Sequence, residues 1–467
     1  MNIPSPSPET PPDPTAQKKA WTVGTLVYTS GGLAILFCWL LWGDFANGMK
    51  ERAIYPMAQV MLRSFESPDW LVGLLVGSIP AGIGMLLGPV MSVMSDRHRS
   101  RWGRRIPFLL VSTPVVALGV FGLAFTPRLG SWIHHLLESR SPGEMACRVM
   151  AFSFFWTIFE IATITVNALF VALVNDVVPK KIIGRFFSLF RAVGLIAGIL
   201  FNFYLMGLAQ THFLEIFIGL GLLFGVGFTL MCLMVKEGSY EAPLKIPQMS
   251  AKDRFAAPLA AYFRECFTEP FYLWFFLATT LGMLALGPVN AFSIFHGRSL
   301  GMGDDFYGKC LALSYGVGLA LTYPIGSLAD RFHPLRIGGV GMGIYAAVTM
   351  YGFFFASTAW TFAIAFVLHT VVAGIYLTGI ASIMQRLLPS AKFAQFASAA
   401  GLIGAFCSML LPPALGLFIG SMRHNYNYVF ILGSILACGS VGAYVVVLSK
   451  FKSLGGDSDY RPPGQGS

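Results

Sequence analysis

Long apolar runs, separated by short polar breaks, follow one another along almost the whole of this sequence, and they restrict the fold more than any other feature. A helix of roughly 20 apolar residues crosses the hydrocarbon core of a bilayer with its own backbone groups satisfied. Twelve such spans fit, near residues 31–60, 69–94, 106–126, 148–174, 185–209 and 213–235, then 271–295, 305–328, 336–356, 359–384, 394–419 and 428–449. The chain is 55% hydrophobic and 12% charged, where an ordinary soluble domain carries about a quarter charged residues, so a soluble globular fold is excluded. The expected class is an all-α polytopic membrane protein, with twelve transmembrane helices in two six-helix bundles. The units expected are a disordered tail over 1–20, an N-terminal bundle over 21–235, a linker over 236–270, a C-terminal bundle over 271–449 and a tail over 450–467.

The net charge of +10 raises the possibility of a nucleic-acid partner, but the basic residues follow topology instead. With the N-terminus in the cytoplasm, Arg97, Arg99, Arg101, Arg104, Arg105, Lys180, Lys181, Arg185, Lys252, Arg254, Arg331, Arg336, Lys450 and Lys452 all fall on inner loops or tails. That is the positive-inside pattern of a membrane protein with both termini cytoplasmic, and no nucleic acid is expected. The seven cysteines are scattered singly with no CxxC spacing, so neither a metal cluster nor a disulfide framework is indicated. No zinc-ligand helix, nucleophile elbow or nucleotide loop is present, which argues against an enzyme and against a bound cofactor.

The first span carries an interruption at Asp44, Asn47, Lys50, Glu51 and Arg52. Either the helix stops near Phe45 and a periplasmic segment follows, or it runs to about Val60 with its polar residues turned toward a cavity. The second reading is favoured because Ala53 to Leu62 is apolar again.

Where the second span ends the sequence reads SDRHRSRWGRR (Ser95 to Arg105), and where the eighth ends it reads GSLADRFHPLR (Gly326 to Arg336). These are equivalent places in two halves of six spans. An aspartate at a helix C-terminus sits against the negative end of the helix dipole and needs a compensating partner, which Arg104, Arg105 or the N-terminus of another helix can supply. The two loops resemble the cytoplasmic signature of the major facilitator superfamily, G-x-x-x-D-R followed by basic residues. The second copy has Gly326, Asp330 and Arg331, whereas in the first Ser92 replaces the glycine and Asp96 and Arg97 stand. The resemblance implies the major facilitator fold, alternating access, and a gating role for Asp96, Arg97, Arg104, Arg105, Asp330 and Arg331.

The stretch DRHRSRWGRRIPF (Asp96 to Phe108) is more specific and looks like the glycoside symporters, which include plant sucrose-proton symporters and bacterial melibiose-type permeases. FFSLFRAVGLIAG (Phe186 to Gly198) is similar to the fifth span of the sucrose group. Two departures limit what is carried over. Melibiose-type permeases have two aspartates in the second span where this chain has Gly84 and Gly88, so a sodium site of that kind is not expected. The sucrose group has an acidic residue in its fourth span, where Glu160 stands, but the arginine before its A-L-x-x-D ending is Val171 here.

Asp44, Asn47 and Glu51 are spaced i, i+3 and i+7 and share one helix face, and Glu160 and Asn167 form a similar stripe in the fourth span. An ionisable group at membrane depth costs at least ~2.5 to 3.5 kcal/mol unless paired or wet, so such groups usually mark an ion or substrate path. Asp44, Glu51 and Glu160 are therefore the proton-coupling candidates, with Lys50, Arg52 or Arg191 as counter-charges. Against this, Glu51 can pair with Lys50 or Arg52 at the outer surface, and Arg191 can snorkel. In the second half the candidates are neutral: Asn290, Tyr315, Tyr323, His369 and Tyr376. Asn47, Lys50, Arg52, Trp156, Asn167, Asn290, Tyr315, His369 and Tyr376 are taken as cavity residues, although a lone histidine in an apolar helix is more often a packing residue. The reading is a monomeric secondary transporter of the cell (inner) membrane that takes up a glycoside or oligosaccharide with protons and binds no metal. The alternatives are an exporter of an amphipathic small molecule and a non-transporting membrane sensor on the same scaffold.

Overall fold

The computed structural model describes residues 21–180, 182–238, 262–389 and 392–463. The expected tail over 1–20, Lys181, Lys252 and Arg254 lie outside the described residues. Among the described residues, twelve helices are long and apolar enough to cross a membrane. In chain order they are α1 (Ser30–Ser64), α2 (Asp69–Arg97), α3 (Ile106–Leu137), α4 (Glu144–Val177), α5 (Ile183–Leu208), α6 (Phe213–Met234), α7 (Pro270–Ser299), α8 (Asp304–Phe332), α9 (Pro334–Phe355), α10 (Ala359–Leu387), α11 (Phe393–Ser421) and α12 (Tyr428–Ser453).

The interrupted first span is one continuous helix. Thr29 caps α1 by accepting from the Gly32 amide at 3.1 Å, and the helix runs through Asp44 and Glu51 to Ser64. It survives its charges because those side chains face neighbouring helices and a cavity rather than lipid. The third span is longer than expected: α3 continues past Thr126, through Pro127 and Trp132 to Leu137. Hydropathy ends the span early because Arg128, His134 and His135 lie at its far end, yet they remain helical.

Three further elements depart from expectation. Before α1, β1 (Trp21–Val23) and β2 (Leu26–Tyr28) form an antiparallel hairpin in a chain otherwise read as all-α. A π-turn interrupts α2 at Leu74–Ser78 and another interrupts α5 at Phe201–Leu205. The segment expected as a tail after residue 450 carries structure of its own: α12 extends to Ser453, α13 spans Gly456–Asp459, and the Tyr460 hydroxyl donates to the Leu387 carbonyl at 2.8 Å.

Within the first half α3 packs on α4 and α6, α1 on α5 and α6, and α2 on α4; within the second, α7 and α9 pack on α12 and α8 on α10. The halves meet along two seams, α2 with α11 and α5 with α8. One apolar core fills the first half and continues across the seams into the ends of α7, α8 and α11 that carry Phe295, Tyr307 and Leu415. A second core, around Tyr272, Met342 and Tyr444, is confined to the other end of the second half. The end carrying the Asp-Arg loops is called the loop end below, and the opposite one the far end.

Candidate functional site

Between the halves lies a cavity of about 750 Å³, walled by α1, α4 and α5 on one side and by α7, α8 and α10 on the other. Its far end is sealed by close helix packing. The position a Cβ would take on Gly73 lies 2.5 Å from the Pro412 carbonyl oxygen, on Gly77 it lies 2.6 Å from the Pro412 ring, and on Gly416 it lies 2.6 Å from the backbone of Asp69 and Trp70. Gly308 of α8 is pressed equally hard against the Asn202 carbonyl of α5. Small residues allow such approach between membrane helices, and no larger side chain fits. At the other end of the same four helices, Gly88, Gly184, Gly326 and Gly404 face open space. The cavity is therefore closed at the far end and the halves part at the loop end.

A polar cluster ties the far end across the halves. The Asp69 side chain, wholly buried at the start of α2, accepts from Arg63 at 3.2 Å and lies 2.7 Å from His424 Nδ1. The Tyr426 hydroxyl lies 3.4 Å from both Asp69 oxygens, and Arg63 also donates to it at 3.3 Å. Burial, and then the Asp69 carboxylate, push the Tyr426 hydroxyl up to about 12, so it stays a donor at neutral pH.

The α1 stripe and the α4 stripe face each other. Asn47 donates to Asn167 at 3.1 Å, and Asn167 donates to Glu51 at 2.5 Å, so Glu51 belongs to the cavity wall and not to an outer surface cluster. Asp44 also lines the cavity; it is 5% exposed and its Oδ2 has no hydrogen-bond partner among the described residues. Glu160 lies behind the wall, wholly buried, accepting at one oxygen from the Tyr55 hydroxyl at 3.1 Å, with the other oxygen unpartnered among the described residues. Tyr55, one turn beyond Glu51, thus links Glu160 to the cavity, a role that nothing in its local sequence signals.

The expected counter-charges do not form contact pairs. Among the described residues no carboxylate lies within 4.0 Å of Lys50, Arg52 or Arg191, because each of these cations finds another partner. Lys50 points into the core of the first half, fully buried, 4.7 Å from the Phe224 ring centre and 3.4 Å from the Thr163 hydroxyl, which corrects its assignment to the cavity. Arg52 crosses to the second half, donating to the Tyr315 hydroxyl at 3.2 Å with its guanidinium over the Tyr315 ring, and Arg191 donates to Thr378 at 2.7 Å.

The second-half wall is neutral. Asn290, Ser293, Tyr307, Ser314, Tyr315 and Thr370 line it. His369 does not reach the cavity: it is buried behind the wall, where its Nε2 meets Asn290 at 3.1 Å and its Nδ1 meets the Tyr345 hydroxyl at 2.8 Å. Tyr376 and Trp156 are likewise not cavity residues. Tyr376 pairs with Tyr444 inside the second half, and the Trp156 indole donates to the Leu75 carbonyl at 2.7 Å, each satisfying its polar atom in a packed interior. Tyr323 is 85% exposed and also lies outside the cavity wall.

At the loop end Asp96 has the partners its helix position demands. Arg105 donates to it at 2.5 Å, Arg104 lies 3.5 Å away, and both arginines also reach Asp176 at the end of α4. Glu237, just past α6, accepts from the backbone amides of Arg104, Arg105 and Ile106 at 2.7 to 2.9 Å and so caps the N-terminus of α3. In the second half Asp330 pairs with Arg386 at 2.6 Å, while Arg336 reaches Asp457 beyond α12. Arg97 and Arg331 are exposed and form no ion pair among the described residues, unlike the other four gating candidates. All these partners of Asp96 and Asp330 belong to their own half.

Two helical bundles around a shared cavity that is sealed at one end have the architecture of a membrane transporter. The family model described as Major Facilitator Superfamily matches residues 40–406, and the chain belongs to that superfamily. The fold is similar to that of a bacterial homologue of the human lysosomal transporter Spinster, solved inward-facing and unoccupied, at 15% identity and a TM-score of 0.63, with 94% of this chain and all of that one covered. It is also similar to a nucleoside transporter, at 10% identity and a TM-score of 0.64 with 88% and 99% covered. A D-xylose-proton symporter aligns at 14% identity and a TM-score of 0.57, with 89% and 96% covered.

Proposed function

We propose that the protein takes up a glycoside or oligosaccharide together with a proton, by alternating access between its two halves. The observation that carries the coupling is the Asp44 carboxyl in the cavity wall, whose buried Oδ2 no described residue satisfies. A buried carboxylate without partners is retained at a cost in stability, and a proton-carrying role explains its retention. Glu160 is the second proton site, reached from the cavity through the Tyr55 hydroxyl. The neutral hydroxyls and amides of α7, α8 and α10 suit a hydroxylated solute, and the Trp-Gly-Arg-Arg loop and the D-xylose-proton symporter among the similar folds support the same reading. In the cell the loop end faces the cytoplasm with both termini, so the conformation described opens inward, and the monomer is the working unit.

The test is sugar accumulation in proteoliposomes on an imposed pH gradient, across a panel of di- and oligosaccharides. Asp44→Asn and Glu160→Gln are expected to abolish uphill accumulation while leaving sugar exchange at equilibrium intact. Retained uphill accumulation in both variants refutes the coupling assignment. If the folded wild-type protein moves no sugar at all, the substrate class is wrong and export of an amphipathic compound becomes the better reading.

A further inference from the structure

The cavity holds two guanidiniums with spare donors. Arg52 and Arg191 both line it, and neither has a carboxylate within 4.0 Å among the described residues. Each makes one hydrogen bond to a neutral hydroxyl of the opposite half, and a guanidinium carries five N–H groups, so several on each side chain are left to face the cavity. Gly194, one turn beyond Arg191 and also in the wall, has nothing within 4 Å of where a Cβ would sit, so no side chain crowds that stretch of the wall. Two like charges on one cavity wall, with no described carboxylate in contact with either, are costly in a low-dielectric site.

The charge count around the cavity points the same way. Asp44, Glu51 and Glu160 supply three negative charges, and Lys50, Arg52 and Arg191 supply three positive ones. Glu51 and Glu160 are held by Asn167 and Tyr55, while two of the three cations reach across to α8 and α10. With every group ionised these charges cancel, so a neutral solute carried with one proton leaves the site at +1, whereas a solute bearing one oxyanion carried with one proton leaves it balanced. Movement of a balanced site avoids carrying net charge through the bilayer.

From this geometry we infer that the transported solute bears an oxyanion, a carboxylate or a phosphate ester, which docks on Arg52 and Arg191 in the cavity wall. The inference rests on the transport reading above and narrows its substrate class to acidic glycosides. Binding is driven by charge-assisted hydrogen bonds, which are about twice as strong as neutral ones and favour the planar fork of arginine. Tyr315 and Thr378 hold the forks in place from the second half, so the two arginines that receive the anion are tied to both halves.

Ligand stabilisation of the purified protein tests this without reference to coupling. The probes are lactose, lactobionate and lactose 1-phosphate, each up to 50 mM at neutral pH and constant ionic strength, read as the shift in unfolding temperature. At least one of the two anions is expected to stabilise the wild-type protein clearly more than lactose does, and which of them succeeds identifies the oxyanion. Arg191→Gln and Arg52→Gln are expected to weaken that anion's binding about 10- to 100-fold, in keeping with the loss of a charge-assisted contact of roughly 1.5 to 3 kcal/mol, with Arg191→Lys recovering part of it. Equal stabilisation by lactose and both anions, or stabilisation by neither anion, overturns the inference. So does an anion effect that survives both Gln variants. The two readings fail separately: lactose binding alone preserves sugar transport and removes the anion site, whereas anion binding without uphill uptake preserves the anion site and removes proton coupling.

Discussion

The two ends of the bundle solve the same problem in opposite ways. At the far end α2, α5, α8 and α11 touch across the halves through glycine, with Gly73, Gly77, Gly308 and Gly416 pressed onto backbone or proline. At the loop end glycines of the same four helices face open space, and the charged side chains pair inside their own half. The far end is thus a shape match with one buried polar cluster, and the loop end is two separate ion-pair networks. Closure by shape is sensitive to single atoms, whereas the exposed ion pairs of the second half tolerate replacement. The π-turns of α2 and α5 lie in the closed segments, where an extra residue per turn gives a local point at which a helix can change pitch.

Substitution at the glycines should break the comparison most visibly. Gly308→Val cannot coexist with the Asn202 carbonyl, and overpacking of this kind costs about 1 to 3 kcal/mol. Transport is expected to fail, and a cysteine introduced at Gln59 in the cavity should become reactive from the far side. Gly404→Val at the loop end should leave the unfolding temperature nearly unchanged, and equal losses in both variants would contradict the asymmetry described.

Removing the buried acid comes next. Asp69→Asn leaves Arg63, His424 and Tyr426 around an amide, and unsatisfied groups of this kind cost about 1 to 3 kcal/mol each. A fall in unfolding temperature together with greater far-side labelling is expected, and a fall without labelling would show that Asp69 stabilises the first half alone. At the loop end, Gly103→Ala tests the Trp-Gly-Arg-Arg turn. Gly103 has φ +106°, and a Cβ there would lie 2.5 Å from the Glu237 carboxyl carbon. A strained backbone residue costs about 1 to 3 kcal/mol, so thermal unfolding should record a loss in that range.

Asp330→Asn is expected to be mild, a few tenths to about 1 kcal/mol, because the carboxylate is 75% exposed and its partner Arg386 is part-exposed. A larger loss would mean that Asp330 acts in the state with the loop end closed. The smallest effect concerns His333, between α8 and α9, whose Nδ1 accepts from the Leu335 amide at 3.3 Å. Burial lowers its affinity for a proton below the ordinary value near 6.5. The folded protein then binds fewer protons than the unfolded chain as pH falls below that value, so stability drops with acidification in that window. His333→Asn, which tolerates the left-handed backbone of this position, should flatten that part of the pH profile of unfolding temperature.

The twelve spans and the polar stripes of α1 and α4 are legible in the sequence because hydropathy and helical period act within one helix. Partners are not legible in the same way. Asp44, Asn47 and Asn167 can be read from i, i+3 and i+7 spacing, but that Arg52 reaches Tyr315 depends on how two helices 263 positions apart in sequence pack. Trp156, His369 and Tyr376 have the composition of cavity residues, yet each finds a hydrogen-bond partner in the interior of its own half and turns away from the cavity. Asp176 and Glu237 stand at helix ends where charge is unremarkable, and only tertiary placement makes them the answers to Arg104, Arg105 and the α3 amides. Helix ends beyond Thr126 and Ser449 are underestimated because polar residues at membrane interfaces remain helical while lowering local hydropathy.

The Glu237 cap bears on mechanics. This residue is the first acidic group after α6, on the way to the second half, and it is fastened by three amides to the start of α3. The end of α6 is therefore moored to the start of α3, beside the ion pairs of Asp96 and Asp176, and these two helices cannot separate at the loop end without breaking three amide contacts.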